Sequence, residues 1–258
     1  MKILVCIKQV PDMESRFRAN SEGTWYDEAD LAWRINEYDE CAVEQAVRLK
    51  EQLGGVPEVT VLSIGSSLVV EAIKKALAMG CDRAVHVQDA AAAAKDPWQI
   101  AGIIATYAKD MGFDMIFTGL QSQDRGSAQV GVTVAELLGY PCVTTLVSFA
   151  YEDGAVTAKR EMEGGVKAVV RMKTPALVTC QSGLNVPRYP TLPNIMKSKK
   201  KEILVIPVAE LLRDEPLTST VSFHPPARKG KGIVLEGEVG PLVDQLIGIL
   251  KKQTAALR

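Results

Sequence analysis

Met115-Ile116-Phe117-Thr118-Gly119-Leu120-Gln121-Ser122-Gln123-Asp124-Arg125-Gly126-Ser127-Ala128-Gln129-Val130-Gly131 joins a short apolar strand to a helix predicted over Val132 to Leu138. A glycine-bearing loop between a strand and a helix N-terminus presents free backbone amides, which bind phosphate well. Ser127 and Gln129 add side-chain donors, and Gly119 and Gly126 allow turns closed to other residues. The same residues also read as a plain strand-to-helix turn. Neither the Rossmann fingerprint nor the Walker A motif is present, so a nucleotide here would be held in another way.

The strand–loop–helix unit repeats upstream. Ile3 to Ile7, Val59 to Ile64 and Ala84 to Val87 read as buried strands. Between them fall helical patterns over Asp39 to Leu53, stopped by Gly54-Gly55, and over Val69 to Met79, stopped by Gly80. Ile100 to Lys109 is a further helix. Such alternation predicts an open parallel sheet flanked by helices, an α/β fold. Ligands of such sheets bind beyond the carboxyl ends of strands. That rule selects Lys8, Gln9 and Val10 after the first strand, and Ser63, Ile64 and Gly65 later. Asn36-Glu37-Tyr38-Asp39 precedes the first long helix and also reads as a cap.

After Leu146 the pattern changes. Val147 to Tyr151, Ala155 to Ala158 and Val166 to Val170 are short strands separated by Asp153-Gly154 and Gly164-Gly165, a hairpin or meander insertion. Ala176 to Cys180 and Ile203 to Ile206 are further strands. Arg213 to Glu238 reads as an extended arm that includes Pro225-Pro226 and Gly230-Lys231-Gly232, and Val239 to Leu250 as a closing helix. The domains expected are 1–206 and a C-terminal arm and helix, 207–258.

Composition excludes several classes. Thirty basic and 31 acidic residues leave a net charge of -1, so no global field points to nucleic acid or a membrane. No apolar run approaches the roughly 18 residues of a membrane helix. The opening Met1 to Lys8 reads as a strand rather than a signal peptide. Cys6, Cys41, Cys81, Cys142 and Cys180 are widely spaced, which argues against a disulfide framework or a metal cluster. His86 and His224 lack metal-ligand spacing.

Gly183-Leu184-Asn185-Val186-Pro187-Arg188-Tyr189-Pro190-Thr191-Leu192-Pro193-Asn194-Ile195-Met196-Lys197-Ser198-Lys199-Lys200-Lys201 is a second distinctive stretch. Its prolines argue for a loop without regular helix. It is either an ordered surface connector or a proline-stiffened docking element whose ordering entropy is partly removed in advance.

This segment closely resembles the signature of the electron-transfer flavoprotein beta subunit family. Lys2 to Val10, Glu40 to Lys50, Ala76 to Arg83 and Arg160 to Gly165 are similar to other blocks of that family, in the same order. The resemblance implies a three-layer, adenine-nucleotide alpha-hydrolase-like fold and a heterodimer with an alpha subunit. FAD held largely by alpha would carry electrons from acyl-CoA-type dehydrogenases, in fatty acid or aromatic acyl-CoA oxidation, to a quinone oxidoreductase or another membrane or soluble acceptor. The beta subunit would carry structural AMP and catalyse nothing alone. The compartment implied is the cytoplasm, or the mitochondrial matrix in a eukaryote.

Carried over by position, the AMP site comprises Cys6, Asn36, Glu37, Tyr38, Asp39 and Ile64. From the strand-to-helix loop it adds Gly119, Gln121, Asp124, Arg125, Gly126, Ser127, Ala128, Gln129 and Val130. Leu192 would anchor the dehydrogenase-recognition loop, with Pro193, Ile195 and Met196 beside it. Arg160 and Glu161 would face alpha. One departure bears on the ligand. Electron-bifurcating members carry a loop of the type Asp-Gly-Asp-Thr-Ala-Gln-Val-Gly-Pro and bind a second FAD, reduced by NADH. Here Ala128-Gln129-Val130-Gly131 follows that type, whereas Arg125 and Val132 depart from it. AMP is favoured, with the second FAD as the alternative. A further alternative is a stand-alone adenine-nucleotide-binding regulatory protein.

Overall fold

The computed structural model describes residues 1–224 and 232–254. Pro225-Pro226 and Gly230-Lys231, expected in the arm, lie outside the described residues. Two units divide the chain, Met1–Phe223 and His224–Arg258.

In the first unit, β1 (Lys2–Cys6) is apolar on both faces, with Ile3, Leu4 and Val5 fully buried. A strand without a polar face belongs inside a covered parallel sheet. An antiparallel ribbon follows, β2 (Gln9–Pro11) with β3 (Trp33–Ile35), which the sequence pattern did not reveal. Then come α1 (Glu37–Gln52), β4 (Glu58–Gly65), α2 (Val69–Met79) and β5 (Arg83–Gln88). Gly80 ends α2 at φ +135°, where a Cβ would lie 2.8 Å from Val47 Cγ1. Next is α3 (Pro97–Ala108), opened by the Asp96 carboxylate, which accepts from Gln99 N at 2.9 Å. Proline is harmless at that first turn, where its missing N–H has no helical partner to lose.

β6 (Met115–Gly119) and α4 (Val130–Leu138) follow, then β7 (Cys142–Glu152), β8 (Ala155–Glu161), β9 (Lys167–Lys173) and β10 (Ala176–Cys180). The expected insertion is the antiparallel meander β7–β8–β9, and β7 begins earlier than its apolar run suggested. α5 (Leu192–Ser198) and β11 (Ile203–Pro207) close the unit's regular elements.

The helix α5 corrects the expectation of a helix-free loop over 183–201. Pro193 falls in its first turn, and Thr191 caps it by accepting from Asn194 N at 3.4 Å. The prolines therefore permit one short helix at the single place where they do no harm.

The sheet order is β11-β5-β4-β1-β6-β10-β7-β8-β9. Its pairings are parallel from β11 to β7. Residues of α1 and α2 pack on one face with Ile3, Val5, Val59 and Val61. Residues of α3 and α4 pack on the other with Leu4, Leu62, Val85 and Ile116. The fold is thus three-layered α/β.

In the second unit, α6 (Val239–Gln253) exposes Val239, Val243, Leu246 and Ile247 along one helical stripe. No helix among the described residues is long and apolar enough to cross a membrane.

Candidate functional site

The chain leaves β1 toward β4 on one side and later returns as β6 on the other. At such a reversal the connecting loops diverge and leave a crevice beyond the strands' carboxyl ends. A cavity of about 260 Å³ lies there, reached by the loops after β1, β4, β5 and β6. Cys6, Leu62, Ile64, Ile100 and Ile104 form its apolar part. Trp25 and Tyr26, from the excursion between β2 and β3, and Trp33, at the start of β3, add aromatic surface.

The loop after β6 is braced from below by the start of α1. Asn36 stands at the cap position, yet its side chain caps nothing. Its Nδ2 donates to Gln121 O at 2.8 Å, and its Oδ1 accepts from Gln123 N at 3.0 Å. Asp39 Oδ1 accepts from Gly119 N at 2.9 Å, and Oδ2 from Lys8 N at 2.7 Å. A Cβ on Gly119 would lie 2.2 Å from Asp39 Oδ1 and 2.8 Å from Tyr38 Cβ. Only glycine admits that carboxylate so close. Burial pushes the Asp39 pKa up to about 7, against the Lys8 and Gly119 amides, the Asn36 side chain and the Lys8 charge.

The other end of the loop delivers α4. Gly126 (φ +63°) and Ala128 (φ +53°) turn the chain through left-handed conformations. Gln129 precedes α4 without a side-chain cap, so the amides of Val130, Gly131 and Val132 have no partner within the helix. At Gly131 a Cβ would meet Thr118 Oγ1 at 2.6 Å and Thr179 Cγ2 at 2.7 Å. Glycine lets the helix start sit directly on the sheet end. A helix N-terminus of this kind favours an anion.

Three cations line the cavity. Lys8 Nζ pairs with Asp124 at 2.6 Å, and burial lowers the Lys8 pKa while Asp124 opposes that shift. Lys95 Nζ lies 2.9 Å from Asp89 Oδ2. That oxygen nonetheless accepts no well-aligned hydrogen bond, and Trp25 Nε1 is likewise buried without a partner. Arg125 donates to the Ala93 carbonyl and lies over the Trp25 ring, 4.3 Å from its centroid. The Cys6 thiol is pushed up by burial and by the Asp39 charge, so it stays protonated and serves as wall rather than nucleophile.

Of the residues selected from sequence, Cys6, Asn36, Asp39, Ile64, Gly119, Gln121, Asp124, Arg125, Ser127, Ala128, Gln129 and Val130 line this cavity. Glu37, Tyr38 and Gly126 do not: Glu37 pairs with Arg34, Tyr38 packs behind Gly119, and Gly126 shapes the turn. Sequence reasoning missed Trp25, Tyr26, Trp33, Asp89 and Lys95. A signal existed for the aromatics, since they stand out in an otherwise polar stretch between Asp12 and Arg34.

The second candidate region is separate. Asn185 Nδ2 donates to Cys41 O at 3.0 Å. Arg188 pairs with Glu44 at 2.8 Å and with Glu51 at 2.5 Å, both on α1. Glu44 is buried, which alone would raise its pKa, but hydrogen bonds from Arg188 and Arg48 outweigh burial and hold it below the usual range. On this pinned base Tyr189 is 95% exposed, Leu192 79% and Met196 59%. Pro193 is also exposed, and Ile195 is half-buried. Not all of the lysine run is solvated, since Lys201 Nζ donates to Cys81 O at 2.5 Å.

At the end of β8, Arg160 donates to Thr144 Oγ1 at 2.9 Å while its Nε is buried without a partner. Glu161 accepts from Gln181.

The model of the family described as "Electron transfer flavoprotein domain" matches residues 23–211. The chain belongs to that family. It is similar to the electron transfer flavoprotein subunit beta of Bacillus subtilis, 35% identical with both chains wholly covered. It is 33% identical to the subunit beta of Methylophilus methylotrophus, over 98% of each chain. The mouse subunit beta is 37% identical over 92% of this chain and 93% of its own. Within this family frame the cavity and the pinned segment are two regions of one chain, and α1 borders both.

Proposed function

We propose that this chain is the beta subunit of a heterodimeric electron-transfer flavoprotein, holding AMP in the cavity and docking a dehydrogenase through Leu192. The observation that carries this reading is the pinned, exposed apolar segment. Tyr189, Leu192 and Met196 stand out in solvent on a base tied down by Arg188. Exposed apolar residues on a pre-ordered segment are what a partner pocket needs. Leu192 is the anchor, with Pro193 stiffening the first turn of α5 and Ile195 and Met196 completing the apolar face. Arg160 and Glu161 face the alpha subunit.

The cavity fits an adenine mononucleotide by its own chemistry. The uncapped α4 amides of Val130, Gly131 and Val132 hold a phosphate, and Ser127 and Gln129 stand beside them. The apolar wall of Cys6 and Ile64 takes the base. Trp25 Nε1 offers an unused donor. The cavity of about 260 Å³ is small for a bound ligand, and FAD is much the larger of the two candidates. FAD shared with alpha supplies the redox chemistry when bound. This chain positions that partner and presents the docking face to dehydrogenases such as those acting on acyl-CoA.

The test is nucleotide content. The chain is co-purified with its natural alpha partner, the complex is denatured, and released nucleotides are quantified by chromatography. One FAD and one AMP per heterodimer are expected. Two FAD and no AMP would instead establish the bifurcating reading, which the Ala128-Gln129-Val130-Gly131 stretch favours.

A further inference from the structure

We infer that Arg125 sets the ligand-size limit of the cavity, closing it over a nucleoside monophosphate and excluding the second half of a dinucleotide. This inference rests on the nucleotide reading above. A dinucleotide continues outward from its phosphate, so it must leave the cavity past the start of α4. Arg125 lines the cavity from the same loop, two residues before Ser127. Its guanidinium spans two other walls of the cavity, donating to the Ala93 carbonyl and lying 4.3 Å over the Trp25 ring. One side chain thereby links the loop after β6, the segment after β5 and the excursion between β2 and β3.

The platform beneath the guanidinium is itself held. Trp25 stacks on Tyr26 with ring centroids 4.6 Å apart, and Tyr26 packs edge-on against Phe17 at 5.5 Å. The residue before Arg125 is also fixed, because Asp124 is buried against Lys8. Moving Arg125 aside breaks a cation–π contact and a hydrogen bond together.

Charge makes Arg125 a phosphate partner, whereas the size limit rests on its bridging position. Lys8 and Lys95 are each neutralised by a carboxylate, whereas Arg125 forms no ion pair among the described residues. Arg125 is therefore the one cavity cation without a carboxylate partner among the described residues, although Glu28 and Asp39 also line the cavity. A terminal phosphate monoester carries close to two negative charges near neutral pH and matches that position. The internal diphosphate of FAD would need the same space and an exit besides.

The test titrates the full-length chain with AMP and with FAD by calorimetry, as wild type, Arg125→Ala and Arg125→Lys. Arg125→Ala is expected to raise the FAD-over-AMP affinity ratio at least tenfold. Arg125→Lys keeps the charge but loses the flat guanidinium, and is expected to raise the ratio by less. Trp25→Leu removes the platform from the opposite wall and is expected to shift the ratio in the same direction, which covers the case of an Arg125 variant that does not fold. An unchanged ratio in variants that still bind AMP overturns the size limit and leaves the nucleotide reading standing. A wild-type chain that binds no AMP overturns both.

Discussion

α1 carries two buried carboxylates whose surroundings drive them in opposite directions. Asp39, at the helix start, faces the cavity, where burial outweighs the amides of Lys8 and Gly119, the Asn36 side chain and the Lys8 charge, and its pKa rises to about 7. Glu44, further along, faces the segment around Arg188, and hydrogen bonds from Arg188 and Arg48 outweigh burial and pull its pKa down. The difference shows how each region is built. The cavity loop is shaped by neutral donors and by glycines that let backbone and carboxylate meet. The proposed docking segment is clamped by full charges on α1, which leaves its apolar face free. One helix thus borders both a recess and an exposed apolar projection.

The largest effect is expected from breaking the cavity side. Gly119→Ala places a methyl group within 2.2 Å of Asp39 Oδ1. Overpacking of this kind costs about 1–3 kcal/mol, and the carboxylate must also release an amide. A lower melting temperature together with loss of bound AMP is the expected outcome. Unchanged AMP content would mean that the brace does not shape the pocket.

Arg188→Ala attacks the other side. It leaves Glu44 paired with Arg48 alone, so a loss of about 1–2 kcal/mol is expected by denaturant titration. Electron transfer from the dehydrogenase should slow while AMP and FAD contents stay at wild-type levels. Loss of AMP in this variant would show that the two regions are not independent.

The pH dependence sharpens the contrast, because the two carboxylates give slopes of opposite sign. The folded value for Asp39 lies above its unfolded one, so its contribution is full at acid pH and is lost as pH rises from 3.8 to about 7. Glu44 is depressed, so its contribution is present above its unfolded pKa and is lost as pH falls through the folded value. Melting temperatures measured across pH should show the first slope vanish in Asp39→Asn and the second in Glu44→Gln. If Asp39→Asn retains the first slope, another group titrates there.

The smallest effect on stability is expected from Leu192→Ala, within about 0.5 kcal/mol for a side chain that is 79% exposed. Its effect on dehydrogenase docking should nevertheless be about tenfold or more, as for a hot spot. Stopped-flow reduction of the flavin by the dehydrogenase separates these two outcomes. Wild-type kinetics would remove Leu192 from the docking role.

The sequence by itself determined the layered α/β architecture. Strands such as Ile3–Val5, apolar on both faces, and helices stopped by Gly80 are local patterns, legible from periods of two and 3.6. It also marked the loop from Gly119 to Gly131 and the segment around Leu192, because glycines, prolines and exposed apolar residues there break those periods. Tertiary structure alone decided what these segments touch. Asn36 reads locally as a helix cap, but it serves a loop 85 residues away at Gln121. Arg188 reads as one more surface charge, but it clamps Glu44 across 144 residues. Trp25 meets Arg125 only because the β2–β3 excursion arches over the carboxyl ends of β1 and β6. Sheet order brings such partners together, and it follows from the packing of the whole chain, not from any one stretch of it.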